Sequence, residues 1–130
     1  MKNKFFTLII ALTTISTFAQ STSDAPIQNI STDSKVVYRL FSTRNMYTFI
    51  KLNTRNGQMW QVQWDIDSKY RFETTLSNIS RVNIDEERDG RFFLYPTKNV
   101  YNFILLDQID GRSWQVQWGK EEERTVIRIN

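Results

Sequence analysis

The side chains here with chemistry to offer are amides and carboxylates. Four glutamines recur in two copies of one pentapeptide, WQVQW, at Gln61 and Gln63 and again at Gln115 and Gln117. Alternate residues of an extended strand share a face, so each pair sets two amides side by side. Such amides donate and accept hydrogen bonds to a glycan or an extended peptide. Asn102 and Thr48 fall on the same face under the register given below. Gln61, Gln63, Gln115, Gln117 and Asn102 are therefore the ligand-binding candidates, although glutamine is also the ordinary filling of the solvated side of a half-buried sheet.

The carboxylates are Asp65 and Asp67, Glu73, the run Asp85 to Asp89, Asp107 and Asp110, and Glu121 to Glu123. Paired carboxylates hydrolyse glycosides when they flank a cleft at about 5–9 Å. These pairs sit at strand ends and turns, where acids face water, so no catalytic residue is assigned. The chain has no histidine and no cysteine. That removes histidine-based triads, cysteine nucleophiles and the usual zinc and copper sites. Asp65–Ser68 and Asp85–Gly90 offer oxygen ligands, but neither has the spacing of a calcium loop. No metal or cofactor is implied, and no glycine-rich phosphate cradle is present.

The first nineteen residues read as an export signal. Lys2 and Lys4 precede an apolar run, Phe5 to Leu12, and the segment closes on Thr17 and Ala19, small residues of the kind a signal peptidase reads. The run is shorter than the roughly 20 apolar residues of a membrane span. Cleavage after Ala19 would leave no membrane span and place the chain in the periplasm or outside the cell. Loss of both lysines with the leader lowers the formal net charge from +3 to +1. No basic cluster remains, so nothing favours nucleic acid. Residues 20–34 are rich in Ser, Thr, Asp and Asn and read as a flexible polar tether. A single domain is expected over 35–130, without disulfides.

What must position the glutamines is a repeat. Residues 40–64 return at 94–118, displaced by 54, with 13 of 25 positions identical. The two units span about 36–77 and 90–130. Their hydrophobic period is two, and turn residues separate the apolar runs. Strands are expected at 36–41, 46–52, 59–64 and 70–76, and at 91–95, 100–106, 113–118 and 124–129. Asn56-Gly57, Asp89-Gly90, Asp110-Gly111 and Pro96 mark connections between them. The fold class is all-β: two four-stranded antiparallel meanders packed as a pseudo-twofold sandwich or a small eight-stranded barrel.

If Asn53 faces Gln58 across the first central turn, Lys51 pairs with Trp60, Phe49 with Val62 and Tyr47 with Trp64. In the second copy Leu105 pairs with Trp114, Phe103 with Val116 and Tyr101 with Trp118. The expected core face is therefore Tyr47, Phe49, Trp60, Val62, Trp64, Tyr101, Phe103, Trp114, Val116 and Trp118. Lys51 is the one charge in that layer, and the glutamines face outward.

The segment N-x-Y-x-F-I-x-L-[ND]-x-x-[ND]-G-x-x-W-Q-V-Q-W resembles a motif of small exported proteins of Bacteroidota, and the leader ending Phe-Ala-Gln is similar to leaders common there. Leu52 to Trp60 resembles the strand-turn-strand of β-propeller blades, although two blades cannot close a ring. Neither resemblance implies a catalytic residue. The expectation is an exported, non-enzymatic binding module for a protein or glycan, with the edge strand Thr125–Ile129 a candidate for homodimer pairing. Two alternatives are a secreted inhibitor or immunity-type protein using the loop Ile84–Arg91, and a small carboxylate-dependent enzyme acting on glycans.

Overall fold

A computed structural model of the chain describes Gln28, Ile30 and residues 33–130. The expected leader, 1–19, and most of the expected tether lie outside the described residues. Within the tether, the Gln28 side-chain amide bonds the Ser42 N–H and C=O (2.7 and 2.9 Å), and Ile30 packs against the core.

The first sheet holds β1 (Tyr38–Ser42), β2 (Thr48–Asn53), β3 (Met59–Gln63) and β4 (Phe72–Ser77). The second holds β5 (Phe92–Pro96), β6 (Asn102–Asp107), β7 (Ser113–Gln117) and β8 (Thr125–Ile129). Each is an antiparallel meander in sequence order, and the two remain separate sheets stacked as a sandwich. Each strand lies within two residues of its expected limits.

The central hairpins keep the register that their turns dictate. Lys51 pairs with Trp60 and Phe49 with Val62, as Leu105 pairs with Trp114 and Phe103 with Val116. The Asn53 N–H donates to Gln58 O (2.9 Å) and the Asp107 N–H to Arg112 O (2.8 Å). Gly57 and Gly111 supply the left-handed backbone that both turns need, at φ of 84° and 82°. A bulge opposite Met59 and Trp60 brings the successive residues Leu76 and Ser77 both into the interior.

The stacking departs from expectation. Let the front face of each sheet be the side carrying Phe49, Lys51, Trp60 and Val62 in the first repeat and Phe103, Leu105, Trp114 and Val116 in the second. The back face carries Ile50, Leu52 and Gln61, and their counterparts Ile104, Leu106 and Gln115. The second sheet buries its front face, with Phe92, Leu94, Phe103, Leu105, Trp114, Val116 and Trp118 in the core. The first sheet buries its back face: Phe41, Ile50, Leu52 and Met59 are fully enclosed. The sheets thus stack in the same sense, front on back, and back faces meet at the β5 edge, where Phe93 packs edge-on against Phe41 (5.1 Å between centroids).

A pseudo-twofold axis gathering all four tryptophans is therefore not how the repeats pack. Of the expected core, Tyr47, Trp64 and Tyr101 are exposed, while Phe49, Trp60 and Val62 are half-buried. The physical reason is that both faces of the first sheet are apolar enough to be covered. Its back face offers Phe41, Ile50, Leu52 and Met59, whereas its front face carries Lys51, whose charge is costly to enclose.

Candidate interaction face

The most distinctive surface is the uncovered front of the first sheet. β1 contributes Tyr38 and Leu40, β2 contributes Phe49 and Lys51, and β3 contributes Trp60 and Val62, with Tyr47 and Trp64 just beyond the strands. Leu40 is 51% exposed and Trp64 43%. The rings are organised: Tyr38 and Trp60 lie 6.2 Å apart between centroids, Tyr47 and Trp64 5.3 Å. The twin on the second sheet, covered except at Tyr101, repeats the geometry, with Phe92 and Trp114 at 6.1 Å and Tyr101 and Trp118 at 5.1 Å. Indole and ammonium add fixed polarity. Trp64 Nε1–H donates to Met46 O (2.8 Å). Lys51 ion-pairs with Glu73 and lies 5.0 Å from the Trp60 ring centroid. This is a rigid aromatic platform with one neutralised charge, a composition suited to protein contact.

The glutamine candidates divide between two places. Gln61, expected outward, is buried at 5% exposure. Its Oε1 accepts from Gly119 N–H and Arg124 Nε–H, both at 3.0 Å, and so ties the two sheets together. Gln63 is half-buried and donates to Tyr70 O (3.0 Å). Both line a cleft of about 330 Å³ between the sheets, beside Thr48, Tyr101, Trp118 and Lys120. Gln115, Gln117 and Asn102 stand on the bare back face of the second sheet, where Asn102 donates to Val116 O (3.4 Å). The five candidates therefore do not form one surface.

The acids also resolve into two kinds. Asp67, Glu73 and Glu121–Glu123 are exposed and Asp65 is half-buried, its side chain accepting the Asp67 N–H (2.9 Å). Asp107, expected at a solvated turn, is fully buried. Arg91 donates to it through Nε (3.0 Å) and Nη2 (3.0 Å), Arg112 through Nη2 (3.2 Å), and the N–H groups of Ile109 and Asp110 add to these. Burial, the largest single influence, pushes the Asp107 carboxyl up. The Arg91 bonds and the turn N–H groups outweigh it and hold the group at about 2. A carboxylate locked in that way is a structural anion rather than a proton shuttle.

Beside it, Ser80, Arg81, Val82, Asn83, Glu86, Asp110 and Arg112 line an open polar cleft of about 540 Å³. The loop Ile84–Arg91 is strapped to the β2–β3 turn: Asn56 donates to Glu87 (3.2 Å) and Arg55 to Asp89 (2.5 Å). Among the described residues, no group of three or more carboxylates is placed to hold a metal ion.

Sequence reasoning missed the clamp formed by Arg124 and the sense of stacking. A signal for the clamp was present: Arg71 and Arg124 stand at the same structural place, each just after a three-residue 3-10 turn and just before the last strand of its sheet. What fold and face define together is an all-β sandwich of two like sheets stacked in the same sense, with an aromatic face left open. No family model, curated protein or solved structure matches the chain, so the functional reading rests on its own geometry.

Proposed function

We propose that the chain is an exported, non-enzymatic interaction module that binds a protein through the front face of its first sheet. One observation carries the reading. The same face, in the same geometry, is what the second repeat buries to build the domain core. A surface of that design left open on the first sheet is a contiguous aromatic patch of the kind that marks a contact site. Two of its polar features are already partnered, by the Trp64–Met46 bond and the Lys51–Glu73 pair. Desolvating it therefore leaves the Trp64 indole N–H and the Lys51 charge with their partners. The non-enzymatic part of the reading is supported by the state of Asp107, the one buried acid among the described residues, held by two arginines.

A photo-crosslinking residue at Leu40 tests this, with one at the exposed Lys98 as control, in the chain expressed in an exporting host. A discrete protein adduct is expected from position 40 and not from 98, reduced by Trp60→Ala. Absence of any protein adduct at position 40 overturns the reading.

A further inference from the structure

The two bare faces of this chain are the counterparts of the two faces that meet inside it. Leu40, Phe49, Trp60, Val62 and Trp64 stand, uncovered, where the second repeat buries Leu94, Phe103, Trp114, Val116 and Trp118. On the other outer surface, half-buried Ile104 and Leu106 stand where Ile50 and Leu52 are fully enclosed, and Ile127 and Ile129 widen the apolar strip, while Phe93 at its β5 edge already packs on Phe41.

We propose that a second copy of this chain docks head-to-tail, the back face of its second sheet on the front face of the first, repeating between chains the step already made between repeats. The inference rests on the proposed interaction face and names its partner.

A separate feature supports the same step. Within the chain, Arg124 holds its own loop through Nε to Gly119 O (3.0 Å) and uses the same N–H to clamp Gln61 across the sheet boundary (3.0 Å). Arg71 makes the matching loop bonds, Nε to Asp65 O (2.7 Å) and Nη2 to Ile66 O (2.8 Å). Gln115 occupies on β7 the place of Gln61 on β3, and it is exposed. Arg71 of one copy and Gln115 of the next are thus the two halves of an unmade clamp. The outer faces depart from the inner interface at Ser113 in place of Met59, at Glu73 in place of Val126 and, most of all, at Lys51 in place of Leu105. Its ion pair with Glu73 would lose water on docking, which makes the contact between chains weaker than the contact within one. A same-sense contact of this kind closes into a ring or runs on as a filament. Rings of four-stranded sheets close at about four to eight sheets, here two to four copies.

Sedimentation velocity of the full chain, purified from an exporting host over a concentration series, reads the outcome. A reversible species of two or more copies is expected. Leu40→Asp and Ile104→Asp each weaken it by about a hundredfold or more, because each puts a charge on a face that must become dry. Mixing the two variants restores a two-chain species, since each keeps the face that the other lacks. Arg71→Ala and Gln115→Ala, at exposed side chains, each weaken assembly about tenfold, and they carry the test if an aspartate variant fails to fold.

A chain that stays single up to about 100 µM overturns the inference, that being well above the range of specific contacts. So does assembly lost in Leu40→Asp but kept in Ile104→Asp, which would mean front-to-front pairing, and so do Arg71→Ala and Gln115→Ala both leaving assembly unchanged. If the position 40 crosslink yields only adducts of a different protein, the interaction face stands and the second copy does not.

Discussion

Trp64 and Trp118 occupy the same position of the same repeat, and the same-sense stack predicts that they differ sharply in importance. Trp118 is 5% exposed and Trp64 43%. For a side chain that can bury about 250 Å², that difference is about 95 Å², or about 2.4 kcal/mol at ~25 cal/mol per Å². Two local features narrow the gap. Trp118 Nε1–H is buried with no partner among the described residues, whereas Trp64 Nε1–H donates to Met46 O. Each feature shifts the balance by about 1 kcal/mol. The cavity left in the packed interior restores a similar amount on the Trp118 side. Trp118→Ala should therefore cost about 3–5 kcal/mol and Trp64→Ala about 2 kcal/mol less. Urea unfolding followed by far-UV circular dichroism, on protein dilute enough to be single-chain, measures both. Equal losses are what a twofold stack would give, and they would refute the front-on-back arrangement.

The glutamines should divide in the same way. Gln61→Ala leaves the Arg124 guanidinium and the Gly119 N–H short of an acceptor and should cost about 2–3 kcal/mol, whereas Gln115→Ala should change the dilute chain by under about 0.5 kcal/mol; parallel thermal melts compare them. Asp107 makes stability depend on acid. Its folded-state value of about 2 lies below the ordinary 3.8, so the unfolded chain takes up the proton first. The contribution, about 2 kcal/mol, is complete above roughly pH 5 and drains away as pH falls through 2. Asp107→Asn should flatten that part of the stability–pH profile measured by urea titration. It should also cost about 3 kcal/mol at neutral pH by stranding the buried Arg91 charge.

Pairing was legible in the sequence and stacking was not. The Asn-Gly and Asp-Gly turns and the period of two specify which residues lie opposite one another, and Lys51 with Trp60 and Leu105 with Trp114 are paired as those signals require. Alternation states which residues share a face but not which face is covered. WQVQW is identical in both copies, so it points to the same covered face twice. The information lay in the positions that differ. Lys51 stands where the second copy has Leu105, and Met59, fully buried, stands where it has the half-buried Ser113. Each exchange moves apolar character toward the back of the first sheet or the front of the second. The buried Asp107 was hidden for another reason: Arg112 faces it across its own turn, but Arg91, whose guanidinium encloses it, precedes β5 and meets it only through the pairing of β5 with β6.

Same-sense stacking also bears on how such a chain can change in length. A twofold sandwich is complete at two layers, because its covered faces use each other up. In this arrangement every layer hides one side and shows the other, so the outermost layers always offer what a further layer would need. Copying the 54-residue unit once more would add a third sheet without asking any existing residue to change partner. Tandem duplication is thus geometrically compatible with this architecture. The chain has a direction of growth, with a leading layer and a trailing layer that answer to different selective demands although they began as the same sequence.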